Sequence, residues 1–525
     1  MSRWPLALLT SLLLVGCAPA APTAPVTGGV APAEVRDEQQ ILRLAVGQLT
    51  GTLSPQASAS SVELYWNLYD NLTQFGPNFE VRPSLADRWE LRDQNRTWRF
   101  TLKRSVTWPD GKPLTAQDVA FTFNEMLKSN WPARSYFAFA TGATAVDDWT
   151  VDILSSQPDM SVPNGATRLW VVPKHYYEQV GADGFRARPM GSGPYELVEF
   201  RDNDVARFRK RSQPHAFRTP IPNEIIFKVI VDNSQKLNGL KTGEIDIALQ
   251  PNLSGAQIEQ ARAAGLTLIS SPSAPYAVII PQGAVELRNS PLRDKRVRMA
   301  IAYAIDWNAI ATKILGGTAT VSGNFATPGS LYWDPDARPW PYDPARAKQL
   351  LAEAGYPNGF RIETGMDTTA AQGIPDTVLA IQGYLRDIGI QVEINPVEFG
   401  IIRDKFYGRN NQLWSDIYTY GTADATGFFQ NLRINVGCGR PIGGGPGSEQ
   451  YCNPEWDRLF DSSLSEPDPA RRAELMRRAA RLMREDLYVI PGVVQSIIHV
   501  LSPKVRGFAP ENPTAFTFDR VYKVQ

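Results

Sequence analysis

Segments with strand character alternate with capped amphipathic helices along most of this chain, and this alternation is the feature that most restricts its fold. The strand-like segments are residues 41–46, 98–102, 151–154, 195–200, 224–231, 245–249 and 276–280. Thr115 is a candidate N-cap, and Asp-Pro pairs at 343–344 and 468–469 predict two further helix starts. The pattern predicts a mixed α/β protein with more than one sheet.

Length and composition indicate the number of domains and argue against nucleic acid as a partner. Of the 525 residues, 43% are hydrophobic and 21% are charged, which suits a globular chain of two or three domains. Lys and Arg together number 54, and so do Asp and Glu, so the formal net charge is zero. Without a basic patch or tail, the sequence does not predict nucleic-acid binding.

The N-terminal residues 1–17 have the pattern of an export signal. Arg3 precedes an apolar stretch at 6–15 that is too short to span a bilayer but suits a signal peptide. The sequence Leu-Val-Gly-Cys that ends at Cys17 resembles a bacterial lipobox, in which the cysteine sulfur is acylated. We therefore expect a chain lipid-anchored to a membrane outside the cytoplasm. The alternative is an ordinary secretory signal with an incidental cysteine.

Two further features fit an exported protein. Residues 18–36 are rich in Ala, Pro, Thr and Gly and predict a disordered tether. Cys438 and Cys452 lie in a segment rich in Gly, Pro and Asn, and in an oxidising compartment we expect them to form a disulfide. A metal site is the rival interpretation of this pair, although no His or second thiol pair accompanies it.

A search for catalytic motifs finds none. The three histidines lie far apart in sequence and do not form a His-x-x-x-His pair. Gly191-Ser192-Gly193 continues into Pro194 and Tyr195, so it is not a Gly-x-Ser-x-Gly elbow. The glycines at 443–445 lack the Lys-Ser/Thr of a phosphate-binding loop. The sequence therefore predicts no enzyme, no cofactor and no metal site, although a carboxylate pair of glycosidase type cannot be selected or dismissed by spacing.

Several stretches, in chain order, resemble the ABC-importer solute-binding proteins of family 5, which bind peptides, oligopeptides, nickel or sugars. The most specific stretches are Pro-Ser-Leu-Ala-Asp-Arg-Trp at 83–89, Thr-Trp-Arg-Phe-Thr-Leu-Lys at 97–103 and Trp-Pro-Asp-Gly-Lys-Pro-Leu-Thr-Ala-Gln-Asp-Val at 108–119. Similar matches follow at 191–195, 240–248, 291–306 and 342–356. The resemblance covers the chain from about residue 41 to its end.

This resemblance implies a fold and a domain organisation. The fold would be an α/β, two-lobed periplasmic-binding-protein clamshell (type II, cluster C) with an extra domain. Lobe I would comprise 37–75, 191–283 and 496–525, the extra domain 76–190, and lobe III 284–495. The ligand would lie between the lobes, and the closed monomer would then dock on the ABC permease subunits.

The resemblance also implies candidate ligand-binding residues. In peptide-binding members, an aspartate in a segment like 418–424 pairs with the peptide amino terminus, which makes Asp424 the main candidate and Tyr420 its neighbour. A role for Asp424 as a turn residue is the alternative, because Gly421 stands where tryptophan is common. Arg403 and Arg409 are candidates for a ligand carboxylate, and a role as ordinary surface arginines is the alternative for each. The candidate wall residues are Tyr65, Trp66, Asn67, Tyr69 and Trp414, for which core packing is the alternative.

The resemblance leaves the ligand open among a peptide, a nickel complex, a sugar or another solute. Two other functions remain as rivals to transport. One is a family member that acts as a surface sensor, chaperone or adhesion protein, and the other is a secreted hydrolase.

Overall fold

The described part of the chain contains helices and strands in an α/β arrangement. The structure, a computed structural model, describes residues 39–49, 51–56, 62–77, 80–129, 131–137, 139–251, 253–279, 290–326, 328–367, 374–397, 418–421, 438, 452–510 and 517–525. Its helices are α1 Val62–Leu68, α2 Ala116–Lys128, α3 Val162–Gly165, α4 Lys174–Ala187, α5 Asn233–Thr242, α6 Gly255–Ala263, α7 Lys295–Ala304, α8 Trp307–Ala309, α9 Pro344–Glu353, α10 Ile374–Asp387, α11 Pro454–Ser465 and α12 Pro469–Glu485. Its strands are β1 Ile41–Val46, β2 Thr73–Phe75, β3 Val81–Pro83, β4 Ala86–Arg92, β5 Thr97–Leu102, β6 Ala140–Asp147, β7 Thr150–Ser155, β8 Tyr195–Arg201, β9 Val205–Lys210, β10 Glu224–Val229, β11 Ile247–Ala248, β12 Thr267–Ile279, β13 Ala319–Val321, β14 Phe360–Asp367, β15 Ile390–Val397, β16 Tyr418–Gly421, β17 Val489–Leu501, β18 Val505–Arg506 and β19 Tyr522–Lys523.

The largest sheet brings together strands from the whole length of the chain. Its order is β16-β12-β17-β11-β1-β10-β9-β8, and β13 also pairs with β17. β1 is parallel to both of its neighbours, β10 and β11. The aliphatic side chains of Leu42, Leu44 and Val46 are buried, as expected for a central parallel strand that is covered on its faces.

A second sheet, β4-β5-β7-β6, is antiparallel and packs against α2. The predicted N-cap region is confirmed, because α2 begins at Ala116 and the Asp118 carboxylate accepts a 2.9 Å hydrogen bond from the Thr115 backbone N–H. Asp118 also accepts from the Lys174 N–H at 2.9 Å, which joins the start of α4 to the same carboxylate. Burial raises the pKa of Asp118 despite these hydrogen bonds. The stretch at 108–119 therefore has a structural role, since its Asp118 joins the starts of α2 and α4.

Residues 290–397 contribute a separate hydrophobic cluster. β14 and β15 are parallel, and α10 lies between them in sequence and packs on both. Ile301 of α7, Leu350 of α9 and Leu385 of α10 are all buried in this cluster. The predicted start of α9 is also confirmed, since the Asp343 carboxylate accepts a 2.9 Å hydrogen bond from the Arg346 N–H.

A third cluster forms where α11 and α12 pack on each other. Phe460 of α11 and Met483 of α12 are both fully buried in it. The predicted Asp-Pro start of α12 is confirmed, because the Asp468 carboxylate accepts from the Arg471 N–H at 2.8 Å. The Met160 N–H, in the segment between β7 and α3, donates to the Leu464 carbonyl of α11 at 2.6 Å.

Two long strands depart from the sequence prediction. A strand was predicted at 276–280, but β12 begins at Thr267, and β17 was not predicted at all. Ser and Pro residues at 270–275 and the pair Pro491-Gly492 have the composition of turns. Because β12 and β17 pair with each other along most of their length, this tertiary pairing overrides the local preference.

Candidate functional site

β12 and β17 run from one hydrophobic cluster to another. At one end, Thr267 pairs with Leu501, and Val500 and Leu501 also pair with β11 of the large sheet. At the other end, Ile279 pairs with Val489, and Ile490 packs in the same cluster as α7 and α9. The pairing register shifts between Ser271 and Ala274 and again between Tyr276 and Ala277. Irregular pairing therefore occurs within the segment that connects the clusters.

We call β12 and β17 the crossing strands, because they pass from one cluster to the other. A buried amide lies near the middle of β17. Gln495 is 1% exposed, and its Nε2 donates to Thr318 Oγ1 at 3.3 Å. Its Oε1 is buried with no hydrogen-bond partner among the described residues. Gln495 is not among the residues predicted from the sequence, since β17 was not predicted, although the β-branched residues of 489–501 are typical of a strand.

Tyr420 lies on β16, at the edge of the large sheet. Backbone pairing places it opposite Ala277 of β12. The backbone of Tyr420 therefore lies beside β12. The other candidates from this region, Arg403, Arg409, Trp414 and Asp424, lie outside the described residues, and their assignment to a ligand stays a prediction.

The four candidates near α1 are brought together inside the protein. Tyr65, Trp66, Asn67 and Tyr69 are each at most 4% exposed. Trp170 joins them, with ring centroids 5.4 Å from Tyr65 and 4.8 Å from Trp66. In the structure the aromatic side chains pack in a hydrophobic cluster, and Asn67 is a buried polar residue. Contact with a ligand stays a prediction for all four candidates.

The hydroxyls of the two tyrosines are held by backbone carbonyls. Tyr65 donates to the Ser54 carbonyl at 3.0 Å, and Tyr69 donates to the Leu53 carbonyl at 2.7 Å. Burial raises the pKa of both phenols. Both tyrosines therefore remain neutral donors that fix the segment 52–54 against α1.

The Gly191-Ser192-Gly193 motif lies directly against the C-terminal end of α1. A Cβ on Gly193 would be 2.7 Å from the Asn67 carbonyl oxygen, so only glycine fits there without displacement. The Gly193 N–H donates to the Leu68 carbonyl at 2.9 Å. This close backbone approach explains the motif by packing.

Ser192 and two other side chains converge on the buried carboxylate of Asp70. Ser192 Oγ donates to Asp70 at 2.8 Å, His215 Nε2 lies 2.9 Å from it, and Arg218 is 3.7 Å away. Burial alone would raise the pKa of Asp70, but His215 and Arg218 outweigh burial and lower it below its usual value.

This network is not arranged for nucleophilic catalysis. His215 Nδ1 accepts from the backbone N–H of Arg218 at 3.2 Å, so the ring proton lies on Nε2 and is donated to Asp70. Ser192 also donates to the carboxylate, so the imidazole is not placed as its general base. The network holds 192–193 and 215–218 against the residues that follow α1.

The two cysteines that were expected to pair are bonded. The structure joins Cys438 to Cys452 by a disulfide. Among the described residues, no group of three or more His, Cys, Asp or Glu side chains could hold a metal ion. No helix in the described part has the length and apolar character needed to cross a membrane. Cys17 and residues 18–36 lie outside the described residues.

Two large cavities lie among the described residues. One, of about 780 Å³, is lined by the end of α4, by Gly191 and by β8. The other, of about 720 Å³, lies between the four-stranded sheet and the α11–α12 pair. Neither is lined by Tyr65, Trp66, Asn67 or Tyr69, although Leu68 lines the first.

Comparison with known proteins places these features in a family context. The model for the bacterial extracellular solute-binding proteins, family 5 middle region, matches residues 80–437. Heme-binding protein A of Haemophilus influenzae is 24% identical over 487 residues, which are 87% of this chain and 86% of that protein. Glutathione-binding protein GsiB of Salmonella choleraesuis is 26% identical over 495 residues, 91% of this chain and 93% of that protein.

A solved structure has the same fold. The dipeptide-binding protein of Pseudoalteromonas sp. SM9913, in complex with Met-Leu, superimposes with a TM-score of 0.77. The match covers 92% of this chain and 100% of that one, at 21% sequence identity. At this identity the likeness shows a shared fold, which confirms the predicted periplasmic-binding-protein architecture.

Proposed function

This chain belongs to family 5 of the bacterial extracellular solute-binding proteins, and we propose that it captures a peptide or a similar small polar solute for an ABC importer. The family consists of solute-binding proteins, which act outside the cytoplasm. The absence of catalysis in this chain is part of the proposal.

The family match carries the proposal, and the crossing of β12 and β17 supports it. β12 and β17 connect two hydrophobic clusters, and their pairing is irregular between Ser271 and Ala277. Such strand segments can absorb a change in backbone angles while the clusters move as rigid bodies. A solute that contacts both sides would favour the closed arrangement.

A ligand of peptide type is supported by the relatives. GsiB is named for glutathione, and the Pseudoalteromonas protein holds a dipeptide. Both ligands carry an amine and a carboxylate. We assign Asp424 to a ligand amine and Arg403 or Arg409 to a ligand carboxylate, because buried charges need partners of opposite sign. The aromatic group near α1, with Trp414 and Tyr420, would form the wall.

The domain boundaries and the membrane anchor belong to the same proposal. Lobe I is assigned to 37–75, 191–283 and 496–525, the extra domain to 76–190 and lobe III to 284–495. Acylation of Cys17 and the tether at 18–36 would keep a monomer close to the ABC permease subunits.

Native mass spectrometry and X-ray scattering test this function together. Protein purified without added ligand is expected to retain a small solute, and its radius of gyration is expected to fall when ligand-free protein is saturated with that solute. Catalytic conversion of the solute, or a scattering profile that does not change on saturation, would overturn the proposal.

The amine assignment has its own test. Asp424→Ala is expected to weaken binding of a ligand with a free amine by at least about tenfold, because a charge-assisted hydrogen bond is lost. Asp183→Ala is the matched control, since the side chain of Asp183 is 95% exposed. Equal affinity of the Asp424→Ala variant and the control would remove Asp424 from the site.

A further inference from the structure

The cavity of about 720 Å³ between the four-stranded sheet and the α11–α12 pair has an apolar lining from both sides. β4 and β5 contribute Trp89, Leu91 and Trp98, and the α11–α12 pair contributes Leu464 and Met476. Among the residues whose side chains the structure describes, none from β17 or from 267–271 of β12 lines it. The cavity is therefore separate from β17 and from the start of β12, on which the proposed function rests.

The sheet side presents a fixed aromatic face. Trp89 pairs with Phe100 and Leu91 pairs with Trp98 across β4 and β5, so these four side chains lie on one face of the sheet. Phe100 is fully buried, whereas Trp89 and Trp98 are only half-buried. The Trp98 indole N–H donates to the Asp159 carbonyl at 2.6 Å, which fixes the ring.

The helical side is held to the sheet side by hydrogen bonds. The Met160 N–H donates to the Leu464 carbonyl at 2.6 Å, and Ser465 Oγ donates to the Pro158 carbonyl at 3.4 Å. The segment 158–160 thus contacts the end of α11 beside the cavity. A ligand in the cavity would touch both elements at once.

Arg472 provides the cavity with a positive charge. One guanidinium nitrogen donates to the carbonyls of Glu466 and Pro467 at 2.9 and 3.4 Å. Among the described residues, no carboxylate forms an ion pair with Arg472, whereas on the same helix Arg477 pairs with one carboxylate and Arg481 with two.

The other charged lining residue does not neutralise Arg472. Glu80 forms its ion pair with Arg82, an arginine that does not line the cavity. The lining therefore combines half-buried tryptophans and a buried methionine with an arginine that retains unused donors.

We propose that this cavity binds a second ligand, a small carboxylate with a flat or branched apolar body. The apolar body packs against Trp89, Trp98 and Met476, and the carboxylate accepts hydrogen bonds from Arg472. Because the walls come from two elements in contact, the ligand stabilises that contact, whatever occupies the space beside β12 and β17. This site goes beyond the proposed transport function and does not depend on it.

A fluorescence titration with 1-pyrenebutyrate tests the site. This probe has an aromatic body and one carboxylate, and energy transfer from the 13 tryptophans of the protein reports its binding. We expect saturable binding, with weaker binding of the uncharged 1-pyrenebutanol. Absence of saturation up to about 1 mM probe, a limit that corresponds to negligible affinity, would overturn the proposal.

Two variants locate the probe, each with a matched control. Arg472→Gln is expected to weaken binding of 1-pyrenebutyrate about tenfold, since a charge-assisted pair is lost, and to affect 1-pyrenebutanol little. Arg471→Gln on the same helix turn is its control, because Arg471 is exposed and does not line the cavity.

Leu331→Trp is expected to fill the cavity and to block both probes. Leu331 lines the cavity and is 46% exposed, so the larger ring can be added without repacking a core. Leu379→Trp is its control, at a position that is 51% exposed on α10. Unchanged affinity in both Arg472→Gln and Leu331→Trp would place the probe elsewhere and overturn the proposal.

Discussion

Arg218 and Asp519, 301 residues apart in sequence, form a two-point ion pair. Arg218 Nε donates to one carboxylate oxygen at 2.7 Å, and a terminal guanidinium nitrogen donates to the other at 2.9 Å. The remaining terminal nitrogen donates to the Trp66 carbonyl at 2.7 Å. One arginine therefore ties the end of the chain to α1.

Replacement of Asp519 tests this link. Asp519→Ala removes the carboxylate that is hydrogen-bonded to the mostly buried guanidinium of Arg218 and leaves only Asp70, at 3.7 Å, so we expect a loss of about 3 kcal/mol in the free energy of unfolding. Urea unfolding measures it as a lower midpoint at unchanged slope. A loss no larger than that of the exposed control Asp183→Ala would show that the pair contributes little.

The folded protein is expected to lose stability in acid as Asp70 becomes protonated. Its pKa is lowered in the folded protein, so its contribution is present above the unfolded pKa and is lost as pH falls through the folded pKa. Asp70→Asn is expected to cost about 2 kcal/mol at pH 7. The difference in the free energy of unfolding between wild type and Asp70→Asn, measured by urea unfolding from pH 7 to pH 3, should become smaller toward low pH. A difference that is constant with pH would contradict the assigned ionisation.

Asp159 is expected to change the stability of the protein with pH in the opposite direction from Asp70. Its Oδ2 is buried with no hydrogen-bond partner among the described residues, and burial raises its pKa. A raised carboxyl pKa costs stability as pH rises above the unfolded value. Asp159→Asn keeps an acceptor for Ser161 and should gain on the order of 1 kcal/mol at pH 8 relative to wild type, with no gain at pH 4. A gain of equal size at both pH values would exclude ionisation as its cause.

The disulfide should contribute to stability. Cys438 and Cys452 are 14 residues apart in sequence, and closing a loop of this length stabilises by about 3 kcal/mol through the unfolded chain. Cys452→Ser is expected to lower the thermal midpoint, and reductant should then have no further effect on it. An equal response of wild type and variant to reductant would contradict this.

Gly193 should not accept a side chain. Gly193→Ala places a Cβ against the Asn67 carbonyl and is expected to cost about 2 kcal/mol through overpacking. Gly47→Ala is the control, since no heavy atom lies within 4 Å of a Cβ there. If both variants unfold at the same urea concentration, the close approach does not explain the motif.

Local signals in the sequence predicted much of the fold. Thr115, Asp343 and Asp468 marked helix starts correctly, because a cap depends on neighbours within a few residues. β12 and β17 were missed or shortened, because their pairing partner is more than 200 residues away and their composition includes Pro and Gly. The same limit applies to the Asp70 network, in which His215 lies 145 residues from the carboxylate. No local pattern connects such residues.

The central position of β17 in the large sheet has a consequence for synthesis and export. β11 and β12 both pair with β17, whose last residue is Leu501. Until that part of the chain has emerged, two sheet segments built from the first 279 residues have exposed backbone edges. A chain arrested before β17 should therefore associate with other chains through those edges, whereas one that includes Leu501 can close the gap within itself.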